Sequence, residues 1–162
     1  MIRYTFVSSP IGDLLVAGND DGAVVEIHFR GATPRDEWER DDSGFDDVRA
    51  QLREYFAGTL RAFTLPLAPT GTPFQLDVWN ALRKIPYGDT RSYGQLAQQL
   101  GRPNASRAVG AANGANPIPI VIPCHRVIGG DGRLTGYGGG LPLKRALLEL
   151  EGALPRSATL FD

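Results

Sequence analysis

The sequence predicts an α+β protein built from two small domains. Residues 2–29 alternate apolar and polar positions as short strands do, whereas most later segments space their apolar residues as helices do. Strands that come first and helices that follow are typical of the α+β class. The charge balance changes sign near residue 69, which indicates where the two domains meet. A length of 162 residues suits either one ordinary domain or two small ones.

The charge is distributed unevenly along the chain. Residues 1–69 contain seven arginines, no lysine and twelve acidic residues, a net charge of −5. Residues 70–162 contain ten basic and six acidic residues, a net charge of +4. A basic half favours contact with a polyanion, although surface charge can also drift along a chain without a function.

The composition excludes a membrane-spanning protein. The chain is 42% hydrophobic and 22% charged, as globular domains are, and no apolar run approaches the roughly 20 residues that a span requires. Residues 1–6 alternate like a strand and lack the apolar block of a signal peptide. We expect a cytoplasmic protein.

The first domain, residues 1–69, opens with a predicted three-stranded antiparallel meander. Its strands are expected within residues 2–7, 14–17 and 24–29, separated by turns rich in Gly, Asp, Asn and Ser. His28 lies on the opposite face of the third strand from Ile27 and is expected to face solvent.

The remainder of this domain predicts a loop, a helix and a strand. Residues 31–44 are polar and acidic and predict a surface loop. A helix follows, with apolar residues at helical spacing (Phe45, Val48, Leu52, Phe56) and Gly58 as its stop. Residues 62–67 predict a further strand, and residues 68–71 a linker.

The second domain, residues 70–162, opens with two capping boxes. Thr72 and Gln75 enclose Pro73 at the first helical position, and the helix they begin is expected to end before Pro86. Ser92 and Gln95 repeat the pattern and begin a short helix through residue 100.

The break in the helical pattern at Gly101 predicts a helix-turn-helix. After Gly101, Asn104 can cap a further helix over residues 105–112, although any corner between two helices gives a similar pattern. Small residues fill this second helix, and Arg107 is its one long cation. Such a surface suits close, sequence-blind approach to a DNA groove rather than base reading.

Cys124 is the single cysteine of the chain, and it follows a proline-rich apolar segment. It cannot form an internal disulfide, and with only two histidines it cannot complete a four-ligand zinc site. Prolines at 117, 119 and 123 predict a stiff, extended and largely buried segment that delivers Cys124 at its end. Cys124 is therefore either an inert buried thiol or a nucleophile activated by His125 and Arg126, which follow it.

Two later features favour a reactive thiol. Residues 129–140 contain seven glycines and allow backbone groups to approach a ligand closely, but their spacing fits no nucleotide-binding pattern. A helix is predicted over residues 141–151, with Gly152 as its stop and Glu151 in its last turn, where an acid opposes the helix dipole. Glu151 is either solvated or has another task.

The segment Pro123-Cys124-His125-Arg126 resembles the active-site motif of the O6-alkylguanine-DNA alkyltransferases. The resemblance extends over residues 72–152 and includes Ser92-Tyr93, residues 107–110, Asn116-Pro117 and residues 147–152. The N-terminal half matches more loosely, by its order of strands and helix. The family implies a ribonuclease H-like domain followed by a winged-helix-like DNA-binding domain.

At matching positions, the resemblance implies a triad that removes the proton from the thiol. Cys124 is the nucleophile, His125 is the base that acts through a water, and Glu151 orients His125. Asn116 pins the turn between the recognition helix and the active-site segment. In this resemblance, Cys124, His125 and Glu151 correspond to the nucleophile, the base and the orienting acid of a catalytic triad.

The resemblance also implies residues that hold the DNA. Tyr93 donates a proton or hydrogen bond to the guanine ring and contacts DNA, Arg107 fills the gap left by an extruded nucleotide, and Arg102 contacts phosphate. The guanine pocket is lined by four positions: Pro119, Val121, Tyr137 and Gly138. Some family members carry a serine where this chain has Gly138, so only backbone N–H groups remain to contact O6 here.

We expect single-turnover transfer of an alkyl group from O6-alkylguanine, and from O4-alkylthymine, in double-stranded DNA to Cys124. No cofactor and no metal are expected, since residues 1–69 contain no cysteine for the zinc site of some relatives. We expect a monomer, with cooperative assembly on DNA left open. The alternatives are a non-reacting alkyltransferase-like lesion-binding protein, which lacks the motif cysteine and the N-terminal half, and a helix-turn-helix regulator.

Overall fold

A computed structural model describes residues 1–156 and divides them into two compact units, residues 1–70 and residues 71 onward. The last six residues of the predicted second domain, 157–162, lie outside the described part. No helix within residues 1–156 is long and apolar enough to cross a membrane.

The first unit is built on a four-stranded sheet. Strands β1 (Arg3–Val7), β2 (Leu14–Gly18) and β3 (Val24–His28) pair antiparallel, as the meander predicted. Strand β4 (Glu39–Arg40) pairs parallel with β1 and gives the order β3-β2-β1-β4. The loop predicted over residues 31–44 is therefore wrong at these two residues, whose charged side chains gave no strand signal.

Helix α1 (Asp46–Phe56) completes this unit and buries three residues of the predicted apolar face (Val48, Leu52, Phe56) together with Tyr55, while Phe45, the fourth predicted residue, is the buried N-cap. Gly58 follows with φ of 79°, the left-handed conformation that ends helices. The strand predicted over residues 62–67 is wrong. Only an isolated bridge joins Val24 to Leu67, since Pro66 has no N–H for a ladder.

Three helices form the first part of the second unit: α2 (Pro73–Arg83), α3 (Tyr93–Gln99) and α4 (Ser106–Gly114). Both predicted capping boxes are confirmed, at Thr72 with Gln75 and at Ser92 with Gln95. The predicted cap at Asn104 is wrong, because α4 begins one residue later and its N-cap, Ala105, has no side-chain hydrogen bond.

A short parallel ladder and a last helix complete the second unit. Strand β5 (Arg91–Ser92) pairs with β6 (Val127–Ile128). The glycine-rich segment then leads to α5 (Leu141–Leu150), whose C-cap is Glu151. The Trp79 indole N–H donates to the Ala112 carbonyl over 2.8 Å and ties α2 to α4.

The segment before Cys124 is buried, as predicted, but it is not extended. Residues 116–123 form successive turns, in which Val121 N–H donates to the Pro119 carbonyl and Ile122 N–H to the Ile118 carbonyl. Cys124 begins a 3-10 turn (Cys124–Arg126). Proline fixes its own φ at a value that turns also use, so its presence excludes a long helix without requiring a strand.

Candidate active site

Cys124 lies buried at the start of the 3-10 turn, with 5% of its surface exposed. The turn is held from behind by Asn116, whose side-chain amide donates to the Ile122 carbonyl over 2.8 Å and accepts from the Ile118 N–H over 3.0 Å. Burial raises the pKa of the Cys124 thiol, against a hydrogen bond from Asn116 and the charge of Lys144. The thiol therefore needs a base before it can attack.

His125, the residue after Cys124, forms a buried pair with Glu151. His125 Nε2 lies 2.7 Å from Glu151 Oε2, and both side chains are fully enclosed. The 3-10 turn places His125 next to Cys124, and the end of α5 supplies Glu151. Residues 26 positions apart in sequence are thereby joined.

Arg126 holds the other side of the Glu151 carboxylate. Its Nε donates to Oε1 over 2.7 Å and its Nη2 to Oε2 over 3.1 Å, while its Nη1 donates to the Ile85 carbonyl over 2.7 Å. Burial opposes ionisation of Glu151, but the charges and hydrogen bonds of His125 and Arg126 outweigh it and lower its pKa to about 2. Sequence reasoning gave Arg126 no role in this pair.

The ionised carboxylate decides which nitrogen of His125 carries the proton. A carboxylate only accepts hydrogen bonds, so Nε2 must be the donor. Nδ1 is the other ring nitrogen, and it is buried and has no hydrogen-bond partner among residues 1–156. Whenever the ring carries a single proton, Nδ1 therefore has a lone pair that could accept a proton, on the residue next to Cys124.

Lys144 is a buried cation that the sequence did not single out. Its Nζ donates to the backbone carbonyls of Val127, over 2.5 Å, and Thr135, over 2.9 Å. Burial lowers the pKa of Lys144 to about 8, against the attraction of the Cys124 thiolate. A lysine among the apolar residues of α5 was the only sequence signal for this position.

Tyr93 begins α3 directly after β5. Its ring packs against α4 at Gly110, where an added Cβ would lie 3.7 Å from the ring carbons. Its hydroxyl forms a 2.8 Å hydrogen bond with Thr135 Oγ1 of the glycine-rich segment. Thr135 was also missed, because its neighbours in sequence are glycine and surface residues.

The predicted pocket residues come from the turns before Cys124 and from the glycine-rich segment. Pro119 and Val121 are buried, the Tyr137 hydroxyl oxygen is buried, and Gly138 is exposed. Burial raises the pKa of Tyr137 well above its usual value, and the negative charges of Cys124 and Glu151 add to this effect. Between Pro119 and Val121, Ile120 has φ of 73°, a strained value for a β-branched residue.

The predicted DNA-contacting arginines are solvent-accessible. Helix α4 buries Val109, Ala112 and Asn113 and leaves Arg107 exposed among small residues. Arg102 is exposed in the turn between α3 and α4, with its guanidinium 5.2 Å from the centre of the Phe74 ring. The smooth helix face with one long cation is the surface that the sequence predicted.

Asn113 links α4 to the backbone of Cys124 and was missed by sequence reasoning. Its amide Nδ2 lies 3.4 Å from the Cys124 carbonyl, and its buried Oδ1 has no hydrogen-bond partner within residues 1–156. Its neighbours on α4 are Ala and Gly, and these small residues predicted a helix surface without long side chains, not a buried amide.

Both halves of the chain match models of one family. Residues 2–69 match the ribonuclease-like domain of 6-O-methylguanine DNA methyltransferase, and residues 73–153 match its DNA-binding domain. The chain is 51% identical to the methylated-DNA–protein-cysteine methyltransferase of Mycobacterium tuberculosis over 166 residues, covering all of both chains. It is 50% identical over 153 residues to the Methanosarcina acetivorans protein of the same name, covering 93% of this chain and 98% of that protein.

Solved structures agree with the sequence matches. The structure of Mycobacterium tuberculosis OGT in complex with DNA superposes with a TM-score of 0.90 at 50% identity and covers 99% of both chains. An O6-methylguanine-DNA methyltransferase from Pyrococcus kodakaraensis superposes with a TM-score of 0.63 at 27% identity, covering 94% of this chain and 99% of that one. The predicted two-part fold, ribonuclease-like and then DNA-binding, is confirmed.

Proposed function

The chain belongs to the 6-O-methylguanine-DNA methyltransferase family, and from this premise we propose that it repairs DNA by moving an alkyl group from the O6 of guanine to Cys124. The observation that carries the proposal is the buried thiol on the same turn as His125, whose ring is fixed by Glu151. The curated relatives are named for this reaction.

The reaction begins with removal of the thiol proton. His125 accepts it at Nδ1 through a bridging water, while Nε2 keeps its proton on Glu151. The imidazolium that forms is stabilised by the adjacent carboxylate. Lys144 and the Asn116 amide favour the thiolate against the cost of its burial.

The alkyl transfer then breaks one carbon–oxygen bond. Cys124 Sγ attacks the alkyl carbon, a carbon–sulfur bond forms, and the electron pair of the broken bond stays on guanine. Tyr93 donates a proton to the ring, so the base leaves neutral, and the proton taken from the thiol replaces it. Water does not hydrolyse the resulting thioether, so each chain reacts once.

The damaged base must leave the DNA stack before it meets Cys124. A buried thiol cannot reach O6 in line while guanine is stacked and paired, and unstacking costs a few kcal/mol. Arg107, exposed on the smooth face of α4, fills the gap in the duplex. Arg102 contributes phosphate contacts that offset part of the cost.

The extruded guanine binds between the turns that precede Cys124 and the glycine-rich segment. Pro119, Val121, Tyr137 and Gly138 line this pocket. Because Gly138 has no hydroxyl, backbone N–H groups alone contact O6 as it becomes the leaving atom.

The partner is double-stranded DNA, and O4-alkylthymine is a second substrate because its alkyl carbon is bonded to an equivalent oxygen. The protein acts as a monomer, and cooperative assembly on DNA is compatible with this. We place it in the cytoplasm, where a thiol nucleophile stays reduced.

Neither alternative reading is favoured. A non-reacting alkyltransferase-like protein lacks the motif cysteine and the N-terminal half, whereas this chain has Cys124 and matches the ribonuclease-like model over residues 2–69. A helix-turn-helix regulator needs several base-reading side chains, and α4 exposes only Arg107 as a long cation.

Titration of duplex DNA containing O6-methylguanine tests the proposal. We expect repair to stop at one lesion per chain, and Cys124→Ser to repair none while it still binds the DNA. Repair that continues beyond one lesion per chain, or that persists in Cys124→Ser, would overturn it.

A further inference from the structure

The hydrogen bond between Tyr93 and Thr135 joins the proposed proton donor to the glycine-rich segment. The two hydroxyl oxygens lie 2.8 Å apart, and either can be the donor. We propose that Thr135 is a positioning residue, which donates to the Tyr93 oxygen and thereby directs the Tyr93 proton towards the guanine ring. This inference rests on the proposed function and assigns a role to a residue outside the motif.

The direction of this bond follows from counting protons. A tyrosine hydroxyl has one proton, whereas its oxygen also accepts. If Tyr93 donates to Thr135, no proton remains for guanine. If Thr135 donates instead, the Tyr93 proton is free, and a donor that itself accepts a hydrogen bond is polarised and donates more strongly.

Two hydrogen bonds from Lys144 tie the backbone of Thr135 to that of β6. Lys144 donates to the Thr135 carbonyl over 2.9 Å and also to the Val127 carbonyl. Val127 pairs with Arg91, two residues before Tyr93, in the β5–β6 ladder. A closed ring of contacts therefore runs from Tyr93 through β5, β6 and Lys144 to Thr135. The hydrogen bond between the Tyr93 and Thr135 hydroxyls completes this ring.

The Thr135 side chain also lies close to the backbone of Gly129. Its Cγ2 methyl faces Gly129, where an added Cβ would lie 3.5 Å from it. Threonine is stiff about χ1, so a methyl held on that side fixes the direction of Oγ1 as well. Serine would keep the hydroxyl but lose this restraint, and valine would keep the shape but lose the hydroxyl.

Three variants separate the hydroxyl from the shape. In single-turnover transfer from O6-methylguanine duplex DNA, we expect Thr135→Val to lower the maximal rate about tenfold, the effect of one hydrogen bond. Thr135→Ser should retain most of the rate, within about threefold. DNA affinity should stay unchanged in both. Thr64→Val is the matched control, because its hydroxyl accepts from Gln51 far along the chain in the first unit.

Two further measurements distinguish positioning from a structural effect. Alkylation of Cys124 by iodoacetamide needs no proton on a leaving base, so its rate should be the same in Thr135→Val and the wild type. In a Tyr93→Phe background, Thr135→Val should have no additional effect on transfer, because the hydroxyl through which it acts is absent.

The inference is overturned if Thr135→Val transfers at the wild-type rate, if Thr135→Ser loses as much as Thr135→Val, or if Thr135→Val slows iodoacetamide equally. Additive losses in the double variant would also overturn it. Failure of the wild type to transfer any methyl group would instead refute the proposed function, so the two failures are distinguishable.

Discussion

Glu151→Gln removes one negative charge from the centre of the site and keeps the size of the side chain. In the wild type, the carboxylate accepts from His125 Nε2 and from two nitrogens of Arg126, all within residues that are buried. The glutamine side chain is neutral, so the buried Arg126 guanidinium loses the counter-charge of Glu151. The glutamine amide can also donate to Nε2, which would move the His125 proton to Nδ1.

The loss of stability can be worked from the pKa of Glu151. Folding lowers it from 4.5 to about 2, which corresponds to about 3 kcal/mol of stabilisation. Breaking a buried ion pair by removing one partner costs a similar amount, about 3–5 kcal/mol. We therefore expect Glu151→Gln to lower the free energy of unfolding by about 3 kcal/mol at neutral pH.

The same pKa predicts how stability changes with pH. The pKa is lowered in the folded state, so this stabilisation is fully present above pH 4.5 and is lost as the pH falls towards 2. Denaturant unfolding across this range should show a shallower pH dependence for Glu151→Gln than for the wild type. Glu54→Gln, exposed on α1, is the control and should follow the wild type.

The rate of methyl transfer should fall by about 100-fold, because the base is no longer held in the reactive tautomer. Single-turnover transfer, measured under conditions where the variant is folded, gives this value. A variant that is as stable as the wild type, or that transfers at the wild-type rate, would refute the proposed pairing of His125 with an ionised Glu151.

Two other substitutions test the DNA and thiol sides of the site. Arg107→Ala should slow repair of duplex DNA far more than reaction with a free O6-alkylguanine base, because only the duplex has a gap to fill. The control, Arg40→Ala in the first unit, should change neither rate. If Arg107→Ala slowed both reactions equally, Arg107 would have no role in extrusion. Lys144→Met should slow alkylation of Cys124 by iodoacetamide at pH 7, since it removes the cation that favours the thiolate; an unchanged rate would show that Lys144 only anchors the loop.

Local signals predicted most of the elements correctly. Thr72 with Gln75 and Ser92 with Gln95 fixed two helix starts, because a capping box is formed by residues three positions apart. The antiparallel meander followed from alternation alone. Strand β4 could not be predicted, since two charged residues form it only through pairing with β1.

The site was predicted through the motif around Cys124, but its geometry was not. The prolines before Cys124 indicated an extended segment, whereas turn hydrogen bonds and the Asn116 amide fold it into a series of turns. Arg126 and Lys144 were missed as buried cations because lysine and arginine are ordinarily exposed. Their carbonyl and carboxylate partners lie between 9 and 41 residues away in sequence, at Ile85, Val127, Thr135 and Glu151.

Mass spectrometry of the Cys124 peptide, after reaction with duplex DNA containing a single O6-methylguanine, tests the central claim most directly. We predict that the peptide gains the mass of one methyl group, with a yield that equals the guanine restored and never exceeds one per chain. An unmodified Cys124 peptide from a sample in which the DNA has been repaired would contradict it.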